Sequence, residues 1–213
     1  MYKIFIILLL TTSLVNTSFI SAGSGASCPL IDQEKLNADF LEKVDEGDIS
    51  GARRLLRQGA QINTTNTEGL SALHIAAKGL KSNIIVFLIV DGANVNARTL
   101  LGMTPLHFAT QICNNRIIIS ILLTHGALVN AQEDFNEMTP LHYAVSVAQD
   151  IDVIQLLLTH GARTDLENAN GYTAINLAQQ NEPISNFLVK TCTERILTKK
   201  LLAEGITLSH NPL

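Results

Sequence analysis

The chain has 213 residues, 46% of them apolar and only 5% aromatic, with no tryptophan and a formal charge of -4. That length supports one domain of ordinary size, whose core must be built from Leu, Ile, Val and Ala. A weakly acidic chain, read as lacking a Lys/Arg cluster, has no electrostatic footprint for nucleic acid or an anionic membrane surface, and the expectation is no nucleic acid partner.

Residues 1–22 read as an export signal. Lys3 supplies the positive start, residues 4–10 are an unbroken apolar run extended by Leu14 and Val15, and small residues from Ser21 to Ala26 offer cleavage after Ala22 or Ala26. Thr11, Thr12, Ser13, Asn16, Thr17 and Ser18 interrupt the apolar stretch, whereas a permanent span needs about 20 mostly apolar residues. The expectation is therefore an exported chain, periplasmic or secreted, with no stable membrane insertion after cleavage; the alternative is an anchor formed by an uncleaved signal. Loss of Lys3 with the leader brings the charge to -5. A linker follows over residues 23–33, and Cys28 reads as incidental to it rather than as an acylated residue.

From residue 34 the apolar pattern becomes helical. Leu36, Phe40 and Val44 form one stripe of a helix over 34–46, Gly47 and Asp48 turn the chain, and residues 49–58 make a second helix closed by Gly59. Beyond it the sequence repeats itself. GLSALHIAA (69–77), GMTPLHFAT (102–110), EMTPLHYAV (137–145) and GYTAINLAQ (171–179) place His74, His107, His142 and Asn176 at intervals of 33, 35 and 34. Gly59-Ala60, Gly92-Ala93, Gly126-Ala127 and Gly161-Ala162 recur at 33, 34 and 35. Two motifs in one register indicate a stacked repeat array.

Each recurring residue has a mechanical reason. Ser71, Thr104, Thr139 and Thr173 are suited to cap a helix N-terminus, and Pro105 and Pro140 fall at the first helical position, where a missing N–H costs nothing. Leu73, Leu106, Leu141 and Ile175 are expected to face the core. The apolar runs at 84–90, 117–123 and 153–158 predict second helices sandwiched between neighbours, each ending at a left-handed Gly92, Gly126 or Gly161. From each of these glycines, Gly59 included, to the next cap there are 12, 12, 13 and 12 residues, so one extra residue lies in the loop at 134–137. From His to the following Gly there are 18, 19 and 19, which locates further extra residues near Asn114 and Gln149.

These motifs resemble the ankyrin repeat, whose T-P-L-H-x-A signature and unit of about 33 residues they match over residues 36–190. The resemblance implies an all-α repeat solenoid of helix-turn-helix layers with protruding hairpin-like loops. Its expected units are a degenerate N-terminal capping repeat (34–63), repeats at 64–96, 97–130 and 131–165, a degenerate repeat (166–191), and a C-terminal capping helix and tail (192–213). In that last part, residues 184–190 and 194–205 are expected to form two separate short helices.

No catalytic constellation stands out: there is no G-x-S-x-G, P-loop or H-E-x-x-H, and the expectation is no enzyme and no cofactor. A metal site is not expected either, because His74, His107 and His142 occupy one position in successive layers, about 8–10 Å apart, too far to share one zinc. Their expected role is hydrogen bonding to the backbone of helix starts and loops. His125 and His160 close second helices. Cys113 and Cys192, two layers apart, read as free thiols. Asn63-Thr64-Thr65 is a glycosylation sequon with meaning only in a glycosylating pathway.

The resemblance implies a protein partner, bound by a monomer on a concave surface made of loop tips and first helices. Carried over position by position, that surface is Thr67, Glu68, Leu70 and Lys78, then Leu100, Leu101, Met103 and Gln111. It continues with Phe135, Met138 and Ser146, and ends with Asn170, Tyr172 and Gln180. Leu100, Leu101 and Phe135 are unexpected on loop tips: either a partner covers them or they fold back on adjacent loops. The leading expectation is a non-enzymatic interaction scaffold; the alternative is a periplasmic accessory module that stabilises or inhibits an enzyme.

Overall fold

The computed structural model describes residues 32–112 and 116–203. The predicted leader, Cys28, Cys113, the insertion near Asn114 and the tail beyond residue 203 lie outside the described residues.

The first helix pair begins where a carboxylate meets orphan backbone donors. Asp32 accepts from the Lys35 N–H at 3.2 Å and starts α1 (Gln33–Glu46). Gly47, at φ 83°, ends it, its N–H bonding back to the last carbonyls of the helix. Asp48 accepts from the Gly51 N–H at 2.9 Å and starts α2 (Ile49–Arg57). Gly51 packs directly against that carboxylate, leaving no room for a side chain.

Four further pairs follow in the predicted register: α3 (Ala72–Lys78) with α4 (Ser82–Val90), and α5 (Pro105–Thr110) with α6 (Arg116–Thr124). Then come α7 (Pro140–Tyr143) with α8 (Ile151–Thr159), and α9 (Ala174–Leu177) with α10 (Glu182–Ala203). Ser71, Thr104, Thr139 and Thr173 each head a capping box, and Pro105 and Pro140 open their helices. Gly59, Gly92, Gly126 and Gly161 follow the second helices of their units at φ between 85° and 105°. A residue with a Cβ would strain there.

First helices stack on first helices along the row from α1 through α3, α5 and α7 to α9, while α4, α6 and α8 stack alongside. The core runs unbroken between the two rows. Leu73, Leu106 and Leu141 repeat at its first-helix side, Ile85, Ile119 and Ile154 at its second-helix side, and Ile175 packs against it half-buried. Each fully buried Leu or Ile contributes about 1.5–3 kcal/mol relative to exposure. No helix among the described residues is long and apolar enough to cross a membrane.

Three expectations change here. The second helices are not enclosed all round: Val86, Val90 and Ile117 are exposed, because a single row of layers supplies neighbours before, behind and inward but none outward. The two short C-terminal helices are one, α10, since no Gly or Pro interrupts residues 184–203 and Pro183 sits in its first turn. Residues 193–200 of α10 are exposed throughout. A local basic cluster does exist: Arg53, Arg54 and Arg57 are exposed on α2, with Arg53 5.2 Å from the centre of the Phe87 ring.

The extra residue expected near Gln149 is absorbed in the backbone rather than in a longer open loop. α7 widens into a π-helical turn, Ala144–Ala148, and Gln149 closes it in the left-handed region at φ 50°. The extra residue at 134–137 likewise ends in a left-handed non-glycine, Glu137 at φ 54°, where the other hairpins have Gly69, Gly102 and Gly171.

Candidate functional site

Four hairpins project between the repeats, all closed by the same backbone bond. The N–H of Asn66, Thr99, Glu133 and Asn168 donates to the carbonyl of Leu70, Met103, Met138 and Tyr172, at 3.0–3.2 Å in the first three and 2.9 Å in the last. Those four opening residues also organise the tips with their side chains. Asn66, Thr99 and Asn168 each accept two backbone N–H groups, so five-residue tips are satisfied by one oxygen. The third tip is one residue longer and uses a carboxylate: Glu133, 3% exposed, accepts from Phe135 through Oε2 and from Asn136 and Met138 through Oε1. A second oxygen serves the additional orphan donor.

The tips are tied to the helices by the repeated histidine. The Ser71, Thr104 and Thr139 N–H groups donate to Nδ1 of His74, His107 and His142 at 3.0–3.1 Å, with the cap hydroxyls 2.8 Å away. Nδ1 is thus the acceptor, which puts the proton on Nε2. Nε2 then donates across to the next hairpin, to Met103 O at 2.9 Å, Met138 O at 3.1 Å and Tyr172 O at 3.2 Å. Asn176 makes the cap bonds to Thr173, and no further hairpin follows it among the described residues.

Burial holds all three imidazoles below their usual value of 6.5, the carbonyl bonds opposing it, and His107 falls to about 4. Their rings also meet aromatic neighbours edge-on: His74 with Phe108 at 5.5 Å and His107 with Tyr143 at 5.9 Å. Burial, with Glu133 nearby, raises the Tyr143 phenol. Among the described residues no three His, Cys, Asp or Glu side chains are grouped to hold a metal ion. Cys192 is a free thiol, its Sγ 3.1 Å from Thr164 Oγ1.

Neighbouring tips also bond to each other. The Asp134 N–H donates to Leu101 O at 2.9 Å, the Ala169 N–H donates to Asn136 O at 2.8 Å, and Gly69 lies so close to Leu100 that a Cβ would meet its backbone nitrogen at 2.8 Å. Arg98 reaches from one hairpin to Asp134 of the next at 2.7 Å.

On this frame the predicted surface residues separate. Leu100, Leu101 and Phe135 are 75%, 57% and 74% exposed: they do not fold back on adjacent loops. Tyr172 is 53% exposed, and Thr67, Glu68, Lys78, Asn170 and Gln180 are exposed beside them. Met103, Met138 and Gln111 are half-buried. Ser146 is exposed, but its hydroxyl donates to His142 O at 2.7 Å.

Leu70 departs from the expectation and is buried. It is held at the hairpin base by two bonds to Asn66, and the second tip approaches the first at the adjacent Gly69. The residue after the tip turn is buried at Leu70, half-buried at Met103 and Met138 and exposed at Tyr172, whose hairpin has none after it among the described residues.

Sequence reasoning missed Glu133, Phe108, Tyr143 and the Arg98–Asp134 pair. For Glu133 a signal existed: an acceptor side chain opens every tip, and the one longer tip carries the acceptor with two oxygens. For Phe108 and Tyr143 it was the position after each repeated His.

A family model described as ankyrin repeats, in three copies, matches residues 41–133 and 112–199. Curated proteins yield no match. Arrays of this kind are protein-interaction modules and are generally not enzymes. With the family model spanning well over half of its length, and capped helix pairs, hairpins and bridging histidines in one register, the chain belongs to the ankyrin repeat family.

Proposed function

We propose that the chain is a non-enzymatic scaffold that holds a protein partner against its hairpin tips and the exposed side of its first helices. The observation that carries this reading is the row of exposed apolar side chains, Leu100 and Leu101 on one tip, Phe135 on the next and Tyr172 beyond, on hairpins bonded to one another and to the helices. Large apolar groups fixed in place lose little freedom on binding, and groups of that kind dominate contact energies.

The test is partner capture by the purified chain, repeated with Leu100→Ser, Leu101→Ser and Phe135→Ser combined. The expected result is loss of the main partner, with about 2 kcal/mol or more removed by each anchor that is central to the contact. Undiminished capture by a folded triple variant removes this surface from consideration.

Export belongs to the same proposal. Lys3, the apolar run that follows it and the small residues at 21–26 support a cleaved leader, and N-terminal sequencing of the mature protein after fractionation tests it. An intact Met1 in the soluble fraction overturns it.

A further inference from the structure

The apolar row has an acidic border. Glu68, Asp134, Glu137 and Glu167 are exposed on or beside the tips, against a single guanidinium, Arg98, which is engaged with Asp134. Glu68, Glu137 and Glu167 have no ion-pair partner among the described residues. On the adjoining first helices, Lys78 is the charged residue of the predicted surface, and Gln111, Ser146 and Gln180 are neutral. An apolar strip edged by unpaired carboxylates favours a partner that brings apolar anchors flanked by cations.

Spacing narrows the partner further. Successive layers of packed helices lie about 8–10 Å apart, so Leu101 and Phe135, each two residues after the opening residue of its tip, lie about that far apart. A helix rising 1.5 Å per residue returns to the same face after seven residues, about 10.5 Å. A strand covers about 10 Å in three residues but turns successive anchors to opposite faces. Of the two, the helix keeps its apolar residues on Leu101 and Phe135 in turn, and its stripe continues toward Tyr172 on the next tip.

We propose, on the basis of the hairpin-tip reading above, that the segment bound across Leu100, Leu101, Phe135 and Tyr172 is a cationic amphipathic helix. Its apolar stripe lies along the row of tips and its Lys or Arg residues meet Glu68, Glu137 and Glu167.

The experiment titrates the full chain with three labelled synthetic peptides of equal length. One has Leu at helical stripe positions and Lys elsewhere, the second has the same Leu pattern with Glu in place of Lys, and the third has the Lys composition with the Leu positions scrambled. The expected result is that the first binds, gains helical circular dichroism on binding and weakens with added salt, while the other two bind at least about tenfold less tightly.

Glu68→Gln, Glu137→Gln and Glu167→Gln combined are expected to weaken the first peptide about tenfold and to flatten its salt dependence. Leu101→Ser with Phe135→Ser is expected to weaken it about a hundredfold. Equal binding of the Lys and Glu peptides, no helix gain, or an unaffected Gln variant overturns the cationic helix while leaving the tip surface standing, provided the Ser variant still weakens binding. Failure of the Lys peptide to bind also overturns it. The tip surface itself falls on the separate result that partner capture survives the Ser substitutions.

Discussion

At the scale of single residues, the repeated histidine does two jobs that the fold separates. Nδ1 closes the cap of its own helix and Nε2–H fixes the next hairpin, so one ring carries local and inter-repeat order. His107→Asn is expected to keep the cap, as Asn176 does with Thr173, and to lose the bond to Met138, costing about 1–3 kcal/mol in urea denaturation. His107→Ala, which also removes the cap acceptor, should cost about 1 kcal/mol more.

A pH dependence follows from the same burial. The unfolded chain takes up a proton on imidazole near 6.5, whereas folded His107 resists it until about 4. Stability is therefore complete above the unfolded value and is lost as the pH falls toward 4, with His107 contributing about 3 kcal/mol of that loss and His74 and His142 adding in the same direction. Thermal melts between pH 7 and about 4 check this. The His107→Asn variant should show a shallower slope, and an identical slope would assign the acid sensitivity to other groups.

At the scale of elements, the irregularities mark where the repeat length departs from its neighbours. The unit containing α7 has one residue more between His142 and Gly161 than the unit containing α3 has between His74 and Gly92. The helix takes it up as the π turn Ala144–Ala148. The turn ends in Gln149 at φ 50°, a conformation that costs a residue with a Cβ about 1 kcal/mol. Gln149→Gly is thus expected to raise the urea midpoint, by up to about 1 kcal/mol in stability, less the weak Asn181 bond to its side chain at 3.3 Å. A lowered midpoint would mean that this bond or chain entropy outweighs the relief of strain. Helix existence, caps and the position of this extra residue were legible in the sequence because each depends on neighbours in the chain. The continuity of α10 was less legible: an Asn-Glu-Pro start and Thr191-Cys192-Thr193 read as a break, yet nothing there forbids a helix.

At the scale of the molecule, stability passes from layer to layer. Ile119 on α6 is fully buried, and α6 packs on both α4 and α8. Ile119→Ala is expected to cost about 2–5 kcal/mol and to speed amide hydrogen exchange in α4, α6 and α8 more than in α1. Loss of protection confined to α6 would contradict coupling between layers. Arg195 joins α10 to the row, its guanidinium donating to the Leu158 and Ala162 carbonyls, while its neighbours over residues 193–200 stand exposed.

The repeat register, the caps, the left-handed glycines and the helix pairing were determined by the sequence alone, since each is settled within a few residues or by a period that recurs at about 33. Which loop residues meet solvent was decided only by the tertiary structure. Leu70 and Tyr172 occupy the same place in the first and last hairpins, yet one is buried and the other is 53% exposed. The difference arises because tips pack on tips, and the residue that covers a given tip comes from the next repeat, some thirty positions further along the chain.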